Sequence, residues 1–167
     1  PAPAMWDLVR STSRAGEAAA ALDLIGDLLR RFPSSPTEAT LPLPRLLRKS
    51  GVESTQSARE AAIEEAGRLS ANAPDPAGIL AGLAIAGPAE AAWFHVGRGD
   101  ARAAMAAIAE AGTESAPRSI AATLAELHAW GPLGEWIAAD PARNQPVFDE
   151  VFRELLSAGL RPGEGTR

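Results

Sequence analysis

The chain has no cysteine, no tyrosine, two histidines and a single lysine, Lys49, among its sixteen basic residues. Each shortage closes a class of chemistry. Without cysteine, these 167 residues contain no disulfide, zinc–thiolate site or thiol nucleophile, an inventory compatible with a reducing compartment. His95 and His128 cannot complete a zinc site without other ligands, so no metal and no cofactor is expected. Aromatic residues are only 5% of the sequence, which leaves few bulky side chains for a core. Long apolar runs are missing too. The longest uncharged stretch, Ala77 to Ala89, is broken by Gly78, Gly82, Gly87 and Pro88 and is shorter than the ~20 residues of a membrane span. No signal peptide is visible, and a chain opening on Pro1 rather than Met is expected to be processed or excised.

Hydrophobic residues make up 46% of the sequence and charged residues 22%, enough for a real core and unlike a disordered chain. Much of the apolar content is alanine, which favours helices and close helix packing. The net charge is −5. Nucleic-acid binders usually carry a basic surplus, because phosphate contacts supply most of their non-specific affinity; the balance here disfavours RNA. The expected setting is intracellular and soluble, with organelle matrix and bacterial cytoplasm equally open.

Apolar residues recur at helical spacing and no period-two alternation competes. Met5 to Ser13 reads as a first helix. Glu17 to Arg31 reads as a second, with Ala18, Leu22, Ile25 and Leu29 on one face. Leu43 to Lys49 reads as a short apolar helix. Gln56 to Ser70 follows, capped by Ser54 or Thr55. Ala77 to Ala86 reads as a buried helix, apolar all round. Helices are further expected over Ala89 to Val96, Ala101 to Ala111, Ser119 to Trp130 and Leu133 to Ala139, with a turn at Gly97 to Asp100. Asn144 is a plausible cap for the last helix, with Pro146 in its first turn and Gly159 as its stop. Amphipathic helices end near residues 32, 71, 112 and 158, a period of roughly 40 residues that fits stacked helical hairpins. The expectation is an all-α, right-handed superhelix of about four irregular hairpins, forming one domain over 1–167 or a segment of a longer array.

Two segments carry a resemblance. Met5-Trp6-Asp7-Leu8-Val9, then Arg14-Ala15-Gly16-Glu17, then Ala21-Leu22-Asp23-Leu24 is similar to a pentatricopeptide repeat, and Val147 to Pro162 resembles the close of another. Val96-Gly97-Arg98-Gly99-Asp100, with Ala104 and Ala111, resembles the related tetratricopeptide repeat. Together these matches cover about half the chain. The first resemblance implies single-stranded RNA binding in an organelle, with Asp7 as a base-reading position. Gly163 stands where that family usually has a closing Asp or Asn, and it has no side chain to read a base. The second implies protein binding.

Candidate contact residues follow from these readings. Trp6, Trp93, Trp130 and Trp136 are the bulky apolar group, and tryptophan is favoured at interface hot spots as well as in cores. Arg45, Arg48 and Lys49 form the one compact basic patch, and Arg10 and Arg14 are the remaining bases an RNA-binding stripe would need. The carboxylate pairs Asp23/Asp27, Glu64/Glu65 and Asp149/Glu150 read as solvated helix faces. His95 and His128, each near a tryptophan, read as packing residues. No constellation points to catalysis. The chain is expected to be a non-enzymatic scaffold for a protein partner or further repeats, with RNA as the alternative ligand and no membrane.

Overall fold

The structure is a computed structural model that describes residues 1–35, 37–48 and 51–162. Lys49 and Gly163, both singled out above, lie outside the described residues. Within them the chain is all-α: α1 Ala2–Arg14, α2 Ala18–Arg31, α3 Thr55–Leu69, α4 Pro76–Gly82, α5 Pro88–Arg98, α6 Ala101–Ala111, α7 Ala116–Glu126, α8 Trp130–Ala139 and α9 Pro141–Ser157, with a 3-10 turn at Arg45–Leu47. None of these helices is long and apolar enough to cross a membrane.

Local chemistry sets the helix ends. The Ser54 hydroxyl accepts from the Ser57 backbone N–H at 3.0 Å and the Ser57 hydroxyl accepts from the Ser54 N–H at 2.9 Å, a reciprocal cap that starts α3. Gly99 adopts φ +77° and ends α5, and the Asp100 carboxylate then accepts from the Ala103 N–H at 3.0 Å to start α6. In α2, Ala21, Ile25, Leu28 and Leu29 fall on one face and are buried, while Asp23, Asp27 and Arg30 face water.

Packing follows chain order. α1 lies on α2 and both touch α3; α3 packs on α5, α5 on α6 and α6 on α7; α7, α8 and α9 contact one another. Two apolar clusters result. One joins Val9, Ile25, Leu28, Leu29, Ile63 and Phe94; the other joins Ile108, Ile120, Leu124, Leu133, Trp136, Val151 and Leu155. α5 is the shared wall, giving Trp93 and Phe94 to the first and Ala92 to the second.

The α3–α5 contact is a close backbone approach. A Cβ on Gly67 would sit 2.0 Å from the Phe94 carbonyl oxygen, and one on Gly97 would sit 2.0 Å from that of Glu64. Arg59 pairs with Glu90 near the helix starts, and Gly67 meets Phe94 and Arg98 near their ends, so the two helices run parallel. α4 and its loops make the return that parallel packing requires.

Five local expectations change, the first being that α7 ends at Glu126 rather than Trp130 and α8 starts at Trp130, so Gly131 and Pro132 lie within α8. Ala77 to Ala86 is not a buried helix: α4 stops at Gly82, has no buried residue, and leaves Ile79, Leu80, Leu83 and Ile85 half-covered at the edge of the first cluster. Its other apolar residues are mostly Ala and Gly, which gain little from burial. The expected helix from Leu43 to Lys49 is, over its described residues 43–48, only the turn at Arg45–Leu47. Pro42 and Pro44 disfavour the α conformation at Leu41 and Leu43, and Leu41 to Pro44 lies outside any helix. Gly97 belongs to α5 rather than to a turn. The last helix starts at Pro141, capped by the Asp140 carboxylate, so Pro146 lies inside it. Asn144 is buried and donates through Nδ2 to the Trp136 carbonyl at 2.7 Å.

Candidate functional site

The segment 40–48 links α2 to α3 in sequence, yet it crosses the molecule as a strap. The Thr40 carbonyl accepts from Trp93 Nε1 of α5 at 2.9 Å, and the Pro42 carbonyl accepts from the Ser119 hydroxyl of α7 at 2.6 Å. Leu41 enters the second apolar cluster and the 3-10 turn reaches α9. Arg48 fastens the far end. Its guanidinium forks onto the Glu64 carboxylate at 3.0 and 2.5 Å, lies 4.7 Å from the Trp93 ring centre, and donates through Nε to the Leu43 carbonyl at 2.6 Å. A bidentate pair with a stacked face uses the properties that distinguish arginine from lysine.

Strap, α1 and α3 enclose an open cleft of about 1060 Å³. Trp6, Asp7, Arg10, Ser13 and Arg14 line it from α1, Arg45 and Arg48 from the strap, and Glu64, Glu65 and Arg68 from α3. Five arginines thus face three carboxylates in this lining, a locally basic surface on an acidic chain. Three arginines are engaged: Arg10 with Asp7 at 3.2 Å, Arg48 with Glu64, and Arg68 with Glu65. Arg14 and Arg45 form no ion pair among the described residues. The Ser13 hydroxyl donates to Glu65 and accepts from Arg68, both at 2.8 Å, tying the ends of α1 and α3 together.

Of the residues singled out in the sequence, Trp6, Asp7, Arg10, Arg45 and Arg48 therefore share one cleft, and Trp93 is buried behind it under Arg48. Trp130 and Trp136 belong to the other half. Trp136 is buried in the second cluster; Trp130 stands edge-on between His128 and Phe152, at 5.7 and 6.1 Å between ring centres. Glu64 and Glu65 are not a solvated face, their side chains keeping only 13% and 16% exposure against Arg48 and Arg68. His95 lies in α5 against Phe94, and burial holds its imidazole below the usual range, with Arg98 assisting and Asp100 opposing. Among the described residues no cluster of three or more His, Cys, Asp or Glu side chains is arranged to hold a metal.

Sequence reading missed the polar network that supports this site. Arg59, 1% exposed, makes two bonds to the Glu90 carboxylate at 2.8 and 3.0 Å and donates to the carbonyls of Leu29, Phe32 and Ala84 at 2.7 to 2.8 Å. Gln56 donates to Glu60 and Glu90 and accepts from the Ser34 hydroxyl and the Ser35 N–H. Glu60 accepts from the Thr40 N–H and hydroxyl, both at 2.9 Å, which anchors the start of the strap. Burial pushes the Glu60 carboxyl up, further raised by Glu90, although bonds from Thr40 and Gln56 oppose the shift. Burial acts the same way on Glu90, but Arg59, the Ala86 N–H and Gln56 outweigh it and hold Glu90 below the usual carboxylate range. Glu126, at the end of α7, is raised by burial despite Arg48 and Arg45, and its Oε2 is buried without a hydrogen-bond partner. The available signal was register: Gln56, Arg59, Glu60, Ile63 and Gly67 share a helical face, and α3 is buried on that face as well as on its alanine face.

No known family model, curated protein or solved structure matches this chain. The repeat resemblance accordingly stands on the quoted residues alone.

Proposed function

We propose that the chain is a non-enzymatic interaction scaffold, a right-handed superhelix of about four stacked hairpins resembling tetratricopeptide or pentatricopeptide arrays, whose charged cleft takes a segment of a protein partner. Contact between successive helices supports the stacked reading, because a solenoid's units touch mainly their neighbours. The observation that carries the functional reading is the cleft lining: half-buried Trp6 beside interleaved arginines and carboxylates offers an aromatic anchor and hydrogen-bonding groups of both signs. A photo-crosslinking residue in place of Asp7 should capture the partner in the source cells, while the same probe in place of Arg102, exposed on α6, should not. Equal capture at both positions would sink the assignment.

One observation favours single-stranded RNA as a second reading: Arg10, Arg14, Arg45 and Arg48 converge on one cleft with Trp6. The ion pairs weigh against it. Among the described residues only Arg14 and Arg45 of the cleft form no ion pair, so phosphate contacts should give a shallow salt dependence, with a log–log slope of about −1.4 for two contacts to a single strand. Fluorescence anisotropy with a labelled single-stranded RNA over a salt series decides this reading. Micromolar binding that falls steeply with salt would move the assignment to RNA; no binding at low salt retires it.

A further inference from the structure

The strap is held as a ligand is held. From Leu41 to Pro44 it is a Leu-Pro-Leu-Pro run outside any helix, and Pro44 has φ −55° and ψ 149°, the polyproline II conformation. Leu41, Pro42 and Pro44 are buried, so the run occupies a groove rather than bridging open space. Its main-chain carbonyls, which any sequence would present, are recognised by side chains from separate helices: Trp93 Nε1 takes that of Thr40, and the Ser119 hydroxyl takes that of Pro42. Side-chain donors on the carbonyl two residues before a proline and on a proline's own carbonyl, with Leu41, Pro42 and Pro44 seated against the helices, make the kind of main-chain recognition by which proline-rich segments are bound. The strap is not sealed onto the helices. A cleft of about 660 Å³ remains beneath it, lined by Thr40, Leu41, Leu43, Gln56, Glu60 and Trp93 among others.

We infer that the groove formed by α3, α5 and α7 is a binding site for a proline-rich peptide of the pattern Leu-Pro-x-Pro with an arginine four residues after the last proline, and that the chain's own strap is its resident occupant. A partner peptide of that chemistry displaces the strap, takes the Trp93 and Ser119 bonds, and sets its arginine against Glu64. The strap and Arg48 also wall the α1–α3 cleft, so a peptide that displaces them reshapes it; the inference itself rests on the strap's own bonds and requires no ligand in the cleft.

The strap competes from within the chain, at an effective concentration of roughly millimolar order, so an added peptide binds the unaltered protein weakly. The test uses a fluorescein-labelled peptide with the sequence of residues 38–48. Replacing both Pro42 and Pro44 by Gly makes the free strap more flexible and keeps every carbonyl in place. This variant should bind the peptide at least about tenfold more tightly than the unaltered protein, because the internal competitor now loses more entropy on seating. Adding Ser119→Ala should then weaken binding by about fivefold, the value of one neutral hydrogen bond. Equal binding by the loosened and unaltered proteins overturns the inference, and so does indifference to Ser119→Ala. Dimerisation of the loosened variant in place of peptide binding also overturns it, assigning the groove to a second copy. Should the loosened variant fail to fold, hydrogen exchange on the unaltered protein replaces it. Millimolar peptide should then speed exchange at the hydrogen-bonded Thr40 and Leu47 amides while α5 and α7 stay protected; unchanged exchange at both overturns the inference.

Discussion

The two halves of the molecule are held together by different chemistry. Around α1, α2, α3 and the start of α5, the interior contains an arginine, two glutamates and a glutamine, each hydrogen-bonded, and two glycines let backbones touch. Around α6 to α9 the buried polar residues are neutral (Ser119, Thr123 and Asn144), and packing is carried by alanine, leucine, isoleucine and an aromatic row of Trp130, Phe152 and Phe148. The charged half also carries the cleft, and the groove spans both halves, taking Ser119 from α7. Buried charge is a poor source of net stability but a strong source of specificity, because a fork such as that of Arg59 tolerates one arrangement of its partners. Here the network fixes two connections, α2–α3 at Phe32, Ser34 and Thr40 and α4–α5 at Ala84 and Ala86, and the first of them carries the strap. The apolar half needs no such device, since its connections are short.

Breaking one partner of the buried pair gives the largest expected effect. Glu90→Ala strands the Arg59 guanidinium and should cost about 3–5 kcal/mol, measured by urea denaturation. Leu155→Ala in the second cluster should cost a comparable ~2–5 kcal/mol through an apolar cavity. Acid separates the two. Glu90 is held below its usual range, so its contribution is complete above that range and fades as pH falls through the depressed value. The Glu90→Ala penalty should therefore shrink in acid, while the Leu155→Ala penalty should not. Equal behaviour of the two variants would mean that the Arg59–Glu90 pair is not the distinguishing bond.

Glycine substitutions should differ in sign between the halves. Gly67→Ala forces α3 from α5 and should destabilise by about 1–3 kcal/mol. Gly134→Ala, inside α8 with no atom within 4 Å of the new Cβ, should stabilise by roughly 0.5–1 kcal/mol through helix propensity. Thermal and urea midpoints moving the same way for both would break the comparison.

A subtler change concerns Glu60, whose carboxyl is raised. A group favoured in its protonated form supports the fold at low pH and loses that support as pH rises through its raised value. Glu60→Gln should remove this decline and leave the acid-side loss from Glu90 intact. The substituted amide keeps the hydrogen bonds, its oxygen accepting from the Thr40 N–H and Gln56 and its nitrogen donating to the Thr40 hydroxyl. A stability–pH curve unchanged above the ordinary carboxylate range would exclude Glu60 as its source. The smallest effect belongs to Arg102→Ala. Its pair with Glu135 is 63% and 61% exposed, so the denaturation midpoint should not move measurably.

Much of the helical pattern was legible in the sequence because it depends on local chemistry. Ala101–Ala111 falls where alanine bounded by Asp100 and Gly112 places it, and α2 and α3 start within a residue of their expected positions. The cleft was partly legible. Trp6, Asp7, Arg10, Arg45 and Arg48 were visible as residue types with chemistry, but their meeting required α1 and the strap to face one another across α3. Residues 77–86 misled because a run of small apolar residues reads as core wherever it lies.

By itself the sequence determined the all-α class, most of the helices, the caps at Ser54 and Asp100 and the absence of thiol chemistry, since each follows from backbone propensity or simple inventory within a few residues. The tertiary structure alone decided that Arg59 and Glu90 are buried together, that Gly67 and Gly97 are contact points, and that a connecting segment crosses to Ser119, 77 residues ahead of Pro42. These depend on which helix faces meet, and periodicity within one helix states that a face is buried without naming what it is buried against.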